Sequence, residues 1–496
     1  MSEREGAREA GERALKNTGV RAAAEVVGKL ASLALFTILA RSEGQSGLGV
    51  FVFATAFLQV ALVPIDFGYD RYLLREVSRE RNRADSLFWN LVALRSAIAV
   101  PVLVAAFAAV SLLGYGGTTR ATVYVLSVGF LLDILAQPVH TVFNAYERVE
   151  LVAGPVLLQR VTAAALGIAA LGLGLGVVGV AATYAAGSLA SLLISVWIWR
   201  RSGIPRPRMS IARRTWRRLA GASAPFAIED VFTVLLFRLD AIILSLMATS
   251  AAVGRYGAAY RLIDSTLFIT FSLNTAFAPM YAYLGSDTTP TIQSLFQRSI
   301  KLALALLVPC AIAFALLAEP LCRLLFGPDF ADAAPALRLL APVAVGVAIV
   351  NLCSTLVVSR RNPRTMVLAT VPMVAFNVVL NVVLIPRWVE SGSAAAMLVT
   401  ETGFVVVALV LAAYTVRPIH WLRMTGPPLL AGAVMVAPVL LLAPSLVPAL
   451  AAGGAVYVAA YLAFERLISP VDLAFIAGLA RRLAGRVRGM VGAAAP

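Results

Sequence analysis

The amino-acid sequence predicts an all-α polytopic membrane protein of about 14 transmembrane helices, with two pseudo-symmetric six-helix lobes plus an extra C-terminal helix pair. Three observations support this prediction. First, 60% of the 496 residues are hydrophobic, only 14% are charged, and the mean hydropathy is +0.85. Second, apolar runs of transmembrane length recur along the whole chain. Third, short sequence fragments recur in the same order about 200 residues apart.

The apolar runs identify the individual spans. A run of about 20 apolar residues is long enough to cross the hydrocarbon core of a bilayer. A soluble domain has no need of so much apolar surface, so the composition excludes that class. The fourteen predicted runs lie at 18–41, 46–68, 86–113, 121–146, 151–173, 176–199, 221–247, 252–283, 298–318, 333–358, 364–385, 391–416, 424–444 and 446–468.

The repeat divides these spans into two halves. Leu48–Phe51 aligns with Val253–Tyr256, 205 residues later, and Val178–Ala182 aligns with Ser391–Ala395, 213 residues later. The offset drifts slowly and the order is kept, which favours duplication over chance similarity among apolar helices. A duplicated apolar scaffold predicts a transporter in which one lobe moves against the other around a central site.

The domain organisation follows from the spans and the repeat. We expect an N-lobe at 1–199, a basic cytoplasmic linker at 200–220, a C-lobe at 221–416, two extra spans within 417–468, and a cytoplasmic tail at 469–496. The linker and the tail combine arginines with apolar residues, a pattern typical of amphipathic helices on a membrane surface.

The net charge of +16 is explained by topology. Basic residues concentrate in every second connection, including eight arginines between positions 200 and 218. Such asymmetry predicts a multi-pass protein of the cell (cytoplasmic) membrane with both termini in the cytoplasm. Inner loops that face anionic headgroups are basic for this reason, so nucleic acid is not an expected partner.

Two patterns that could indicate cofactors do not do so here. Cys310, Cys322 and Cys353 match no zinc or redox spacing and are predicted to be buried free thiols. Gly174–Gly179 fits the string GxGxxG, but it lies between two apolar spans with no strand before it. We therefore predict no cofactor and no metal site.

Charged residues inside the predicted spans are the candidate functional residues, because an ionisable group in a bilayer costs free energy. Glu25 and Lys29 are four residues apart on one helix face, where they can pair. Asp230 is the repeat equivalent of Glu25. The alternative role for all of them is in buried pairs that hold helices together. The full set is Glu25, Lys29, Arg95, Asp230, Arg238, Asp240, Arg261 and Asp264.

Three further polar residues are isolated within predicted spans. They are Asp133, His140 and Glu401. A lone intramembrane carboxylate can bind a proton, and it can equally make a polar helix contact.

Three motifs resemble those of a known superfamily. The stretch 376–396 has the pattern N…LN…LIP…G followed by small residues, and Asp66-Phe67-Gly68 precedes Arg75-Glu76 at the end of span two. Asp240 is followed by Gly254–Tyr260 between spans seven and eight. Together they resemble the polysaccharide-transport branch of the MOP exporter superfamily, which contains Wzx flippases, MurJ-type lipid II flippases and, more distantly, MATE antiporters.

The resemblance implies a function. It implies a V-shaped transporter, not an enzyme, in which two six-helix lobes carry a polyprenyl-(pyro)phosphate-linked oligosaccharide from the inner to the outer leaflet. In the superfamily, spans one, two, seven and eight line the central cavity, and the extra helix pair resembles the added pair of MurJ-like members. The expected partners are membrane lipid and a lipid-linked anionic oligosaccharide, and we expect a monomer.

The resemblance also suggests roles for the charges. Arg238, Arg261 and Arg95 are hypothesised to bind pyrophosphate or acidic sugar, since a guanidinium group offers paired donors to phosphate oxygens. The carboxylates would keep the empty arginines paired, or take up a coupling cation or proton.

Two other functions remain open. A MATE-like cation-coupled exporter of small molecules would need an acidic cavity with few bases, so the arginines favour an anionic substrate. A polyprenyl-linked membrane glycosyltransferase would need a metal-binding or acid–base cluster on a loop, and Asp329 and Asp332 are the nearest candidates.

Overall fold

The computed structural model describes residues 2–284, 290–360, 364–416, 418–443 and 445–469, without the side chains of residues 2–24, 229, 290, 364 and 367. Within these ranges every regular element is a helix and no β-strand is present. The predicted all-α polytopic class is therefore confirmed. The predicted amphipathic tail lies outside the described residues, except for Ser469.

The helices follow one another with short connections. In chain order they are α1 (Ser2–Ala61), α2 (Val63–Asp66), α3 (Tyr69–Arg79), α4 (Arg83–Leu112), α5 (Gly117–Ala145), α6 (Glu150–Gly172), α7 (Gly176–Arg201), α8 (Arg213–Met247), α9 (Ser250–Tyr283), α10 (Pro290–Leu316), α11 (Ala318–Phe326), a 3₁₀ helix (Pro328–Ala333), α12 (Ala334–Leu340), α13 (Val343–Arg360), α14 (Arg364–Thr415), α15 (Trp421–Leu441) and α16 (Leu446–Ile468).

Two of these helices contain a break and hold two predicted spans each. α1 is interrupted at Gly44, with φ 66° and ψ −169°, a conformation open to glycine because it lacks a Cβ atom. α14 is interrupted at Val389, with φ 49° and ψ −122°, which is strained for a β-branched residue. The breaks separate run 18–41 from run 46–68, and run 364–385 from run 391–416.

The apolar runs coincide with the helices. Among the described residues, ten helical segments are long and apolar enough to cross a membrane, and two of them contain the breaks. α8 and α9 hold runs 221–247 and 252–283, and they carry most of the charges predicted for the site.

The linker is only partly helical. Residues 203–212 are not helical, and they lie along α4, where Trp89 Nε1 donates to the Pro207 carbonyl at 3.0 Å. Asn90 donates to the Ser210 carbonyl at 2.8 Å and accepts from the backbone of Ala212 at 2.7 Å. From Arg213 onward the linker is the first part of α8.

By its contacts the chain divides into two compact units. Unit 1 comprises Met1–Ala258, Leu325–Phe330 and Val374–Ser393, and unit 2 comprises the rest. α8 belongs to unit 1 because it packs against α1, α3 and α4. The division reflects packing, whereas the predicted lobes reflect sequence duplication, so the lobe boundaries stay a prediction.

Each unit has a distinct core. In unit 1, α1 packs against α5, α6 and α7, and the α3–α4 region is closed by buried side chains such as Tyr72, Leu73 and Leu91. In unit 2, α15 and α16 pack on each other and on α10, where Lys301 Nζ lies 2.9 Å from the Glu465 carboxylate. The extra helix pair is thus joined to α10 by a buried ion pair.

Candidate functional site

The candidate site is built around α8, which brings three of the predicted residues into unit 1. A charged side chain in an apolar helix needs a polar neighbour or water. Asp230, Arg238 and Asp240 lie along α8, and each has a hydrogen-bond or ion-pair partner from another element.

At Asp230, α8 contacts the corner between α2 and α3. Phe67 and Gly68 both adopt left-handed conformations, with φ of 38° and 64°. A Cβ atom on Gly68 would lie 2.7 Å from the Cβ of Phe226, so glycine permits the corner to approach α8 closely. As a result, Arg71 Nη2 of α3 lies 2.6 Å from Asp230 Oδ1.

The Arg71–Asp230 pair is partly open to its surroundings. The side chain of Arg71 is 47% exposed and that of Asp230 is 29% exposed. Arg71 is not among the predicted site residues, because the sequence assigns it to a basic inner connection and not to a span. Arg71 lies between Asp66-Phe67-Gly68 and Arg75-Glu76, the two parts of one motif, and this position is the sequence signal that could have identified it.

Arg95 occupies a different environment from the one expected of a substrate ligand. It is fully buried, with Nη2 2.6 Å from Asp66 Oδ1 and 2.7 Å from Asp70 Oδ2. Nη1 donates to the Ile134 carbonyl at 3.1 Å. This geometry corresponds to the alternative role, an ion pair that holds helices together, here between a buried guanidinium and two partly exposed carboxylates. It leaves Arg95 no surface on which to bind a ligand. Through these contacts Arg95, on α4, links the α2–α3 corner to α5.

The second polar position on α8 is Arg238. Its Nε donates to Gln59 Oε1 of α1 at 2.6 Å, and the side chain is partly exposed. Gln59 is the second site residue that sequence reasoning missed, since an uncharged residue in an apolar run gave no signal by itself.

Asp240 forms the buried part of the site. It is 1% exposed, accepting from Tyr256 Oη at 2.9 Å and from Asn381 Nδ2 at 2.8 Å. Asn381 donates to the backbone carbonyl of Asn377 and accepts from Ser393 Oγ at 2.8 Å. The described hydrogen bonds to Asp240 thus come from neutral donors.

The remaining predicted residues lie elsewhere. Glu25 Oε1 is 3.1 Å from Arg160 Nη1, so Glu25 has an ion-pair partner on another helix, α6. Lys29 is half-buried on α1, one turn further along. Arg261 and Asp264 are half-buried on α9 and belong to unit 2.

Unit 1 contains a second ionic cluster, beside the two helix breaks. Arg255 Nε lies 2.6 Å from Glu390 Oε1, and its Nη2 lies 3.1 Å from Oε2, so the pair is bidentate. Arg255 Nη1 also donates to Gln45 Oε1 at 2.8 Å. Gln45 follows the break at Gly44, and Glu390 follows the break at Val389.

The described residues offer little to a metal ion. No group of three or more His, Cys, Asp or Glu side chains within the described ranges is placed to hold one. Cys310 is partly buried, Cys322 and Cys353 are buried, and all three are free thiols.

Comparison with known proteins decides the family. Residues 14–284, more than half of the chain, match the family model described as polysaccharide biosynthesis protein. This chain belongs to that family. A second model, MatE, matches residues 225–383 of the chain. The predicted resemblance to the polysaccharide-transport branch of the MOP superfamily is confirmed.

Individual relatives agree with this assignment. A Haloferax volcanii protein named "Probable low-salt glycan biosynthesis flippase Agl15" is 23% identical over 361 residues, covering 73% of this chain and 75% of the relative. Lipid II flippase MurJ in an inward closed conformation has a similar fold, with a TM-score of 0.76, 14% identity, and coverage of 90% of this chain and 98% of MurJ. The MATE multidrug transporter DinF-BH gives a TM-score of 0.60 at 14% identity, covering 80% of this chain and 93% of that one.

In this member of the family, two of the three motifs meet at one place. Asp240 and Tyr256 come from the motif between spans seven and eight, and Asn377, Asn381 and Ser393 come from the 376–396 motif. The third motif forms the α2–α3 corner, which carries Arg71 to α8. Residues of all three motifs therefore lie on α8 or contact it.

Proposed function

We propose that this protein is a flippase that moves a polyprenyl-(pyro)phosphate-linked oligosaccharide from the inner to the outer leaflet by alternating access, for surface polysaccharide or cell-wall synthesis. The observation that carries the proposal is the partly exposed charge on α8 and its neighbours, Arg238 beside Gln59 and Arg71 beside Asp230. The family and the name of the Haloferax volcanii relative support the same direction.

The substrate chemistry fits these side chains. A lipid-linked oligosaccharide has an apolar tail that can stay in lipid, and a phosphate and sugar head that needs a polar path. Guanidinium groups bind phosphate oxygens through paired hydrogen bonds, and amide side chains bind sugar hydroxyls. In unit 1, Arg71 and Arg238 supply the first chemistry, and Gln59 supplies the second.

The carboxylates complete the cycle in this proposal. When the head group leaves, an arginine in an apolar environment needs a counter-charge. Asp230, 2.6 Å from Arg71, provides one in the empty transporter. A coupling cation or proton taken up by a carboxylate would drive the return step.

The topology is part of the proposal. The basic connections support termini in the cytoplasm and a location in the cytoplasmic membrane, where the lipid-linked precursor would be assembled. We also propose that the protein works as a monomer, since each chain carries both halves of the repeat.

A cation-coupled exporter of small molecules is the second candidate. The MatE match at residues 225–383 and the fold of the MATE transporters favour it. The arginines near α8 argue against it, because a cationic drug would be repelled by them.

The test is flipping of a fluorescent lipid-linked oligosaccharide in proteoliposomes, measured as protection of the inner-leaflet label from a membrane-impermeant quencher. We expect the purified protein to move this lipid at least tenfold faster than protein-free vesicles. Depletion of the protein in cells should cause the lipid-linked sugar to accumulate in the inner leaflet. Movement of cationic dyes without movement of the lipid-linked sugar would favour the exporter.

A further inference from the structure

Glu401 is a buried carboxyl group that the proposed site does not use. It lies in the second half of α14, within predicted span 391–416, and is 3% exposed. Its Oε1 atom is buried and has no hydrogen-bond partner among the described residues. The sequence left two roles open for Glu401, a proton site and a polar helix contact.

Other buried carboxylates in the described chain have polar partners. Glu465 is paired with Lys301 at 2.9 Å, and Asp240 accepts from Asn381 at 2.8 Å. A polar helix contact requires a partner of this kind. Because the buried oxygen of Glu401 has none in the described chain, the contact role has no support from the geometry.

The packing of α13 against Glu401 leaves room for its side chain, and the described residues of α13 and α14 put no charge beside it. A Cβ atom on Gly346 of α13 would lie 2.7 Å from Glu401 Cγ and 3.4 Å from Oε1, so glycine is what admits the carboxyl group. The described ionisable side chains of α13, Cys353 and Arg360, lie seven and fourteen residues from Gly346, about 10 and 20 Å along the helix. On its own helix, the nearest described carboxylate is Glu390, about 16 Å away.

An ionised carboxylate in such surroundings would be costly, whereas the neutral acid can be accommodated. We propose that Glu401 is a proton-binding site of the transport cycle. It holds its proton while packed against Gly346 and releases it when the contact between α13 and α14 admits water. This inference rests on the proposed function, because it names the ion that drives the return step.

Carbodiimide labelling tests the protonation directly. Dicyclohexylcarbodiimide reacts with a protonated carboxyl group in an apolar environment. The acid proton moves to a carbodiimide nitrogen, the carboxyl oxygen bonds to the central carbon, and rearrangement gives a stable N-acylurea with no leaving group. Mass spectrometry should find the adduct on Glu401 and at least tenfold less on Glu465, which is equally buried but ion-paired.

The label should disappear in Glu401→Gln, a nearly isosteric variant. An unlabelled Glu401, or equal labelling of Glu401 and Glu465, would overturn the proposal. If Glu401→Gln does not fold, labelling of the unmodified chain at rising pH still decides it. The adduct should then fall at least tenfold, and labelling of Glu401 that stays below that of Glu465 at every pH contradicts the assignment.

Transport measured with an imposed pH gradient tests the role in the cycle. Glu401→Gln should lose at least tenfold of the gradient-driven rate with an unchanged melting temperature, and Glu401→Asp should keep part of it. An unchanged response in Glu401→Gln sinks the proposal. Failure of the unmodified protein to move lipid-linked oligosaccharide, with Glu401 still labelled, would instead reject the proposed function and leave the proton site standing.

Discussion

Gly49 of α1 and Gly254 of α9 face each other in a reciprocal contact. A Cβ atom on Gly49 would lie 1.8 Å from the Ser250 carbonyl oxygen, and one on Gly254 would lie 1.9 Å from the Gln45 carbonyl oxygen. Gly49 and Gly254 are 205 residues apart, as are Gln45 and Ser250, which is the repeat offset found in this region. The two copies of the repeat therefore touch here through equivalent atoms, as a local two-fold axis requires. Such backbone contact between membrane helices needs small residues.

Alanine at either glycine should destabilise the protein, because the added Cβ atom would overlap a backbone carbonyl that cannot rotate away. We expect Gly49→Ala and Gly254→Ala each to lower the melting temperature in detergent by at least several degrees, equivalent to about 1–3 kcal/mol of overpacking. Gly154→Ala is the matched control, since a Cβ atom there would meet nothing within 4 Å. Equal melting temperatures for all three variants would contradict the contact.

The arginines hypothesised to bind phosphate should be needed for transport and not for folding. Arg238→Ala and Arg261→Ala should each abolish complementation in a flippase-deleted strain at normal protein levels, and Arg71→Ala should do the same. Each variant removes a charge that the proposal assigns to phosphate binding. Arg120→Ala, at an exposed position, is the control. Retained transport in the first two variants would remove Arg238 and Arg261 from the site.

Arg95 should show the opposite behaviour. Removing it leaves Asp66 and Asp70 without the guanidinium that pairs with both of them. Because the Asp66 side chain is 55% exposed and that of Asp70 is 23% exposed, the cost should be below the roughly 3–5 kcal/mol of a fully buried pair. We therefore expect Arg95→Ala to reduce protein level and melting temperature. Arg95→Lys should recover only part of the loss, because an ammonium group cannot bind two carboxylates in the same way. If Arg95→Ala kept normal stability but lost substrate binding, Arg95 would be a substrate-binding residue after all.

The bidentate Arg255–Glu390 pair should couple its two positions energetically. We expect Arg255→Ala and Glu390→Ala each to lower the melting temperature, with a double-mutant coupling energy of about 0.5–3 kcal/mol. The exposed Arg323–Glu319 pair, at 2.7 Å on α11, should give less than about 0.5 kcal/mol. Similar coupling at the two pairs would show that the helix breaks are not fixed by this contact.

Glu76 of α3, outside the spans, should make stability depend on pH. Burial raises its pKa, but hydrogen bonds and charges from Arg75 and Arg83 outweigh that effect and hold the pKa of Glu76 below its usual range. A lowered folded-state pKa contributes stability above the unfolded value of about 4.3, and that contribution is lost as the pH falls through the folded value. The melting-temperature advantage over Glu76→Gln should thus be full near neutral pH and shrink below about pH 4. If the melting-temperature advantage instead grew on acidification, the folded-state pKa of Glu76 would be raised and not lowered.

Much of the site could be located from the sequence, but little of its pairing could. Intramembrane charge pointed to Arg238 and Asp240, which lie on α8, because an ionisable residue in an apolar run stands out locally. Their partners Gln59, Tyr256 and Asn381 come from other helices, up to 179 residues away along the chain. No local pattern encodes which face of one helix meets which face of another.

The sequence by itself determined the all-α membrane class, the positions of the apolar runs and the repeat, because hydropathy and duplication are properties of contiguous residues. Only the tertiary structure decided the partners. In it, Glu25 pairs with Arg160, Arg95 pairs with both Asp66 and Asp70, and Arg71 pairs with Asp230 of α8. These choices depend on helix rotation and neighbourhood, which arise from the packing of the chain as a whole.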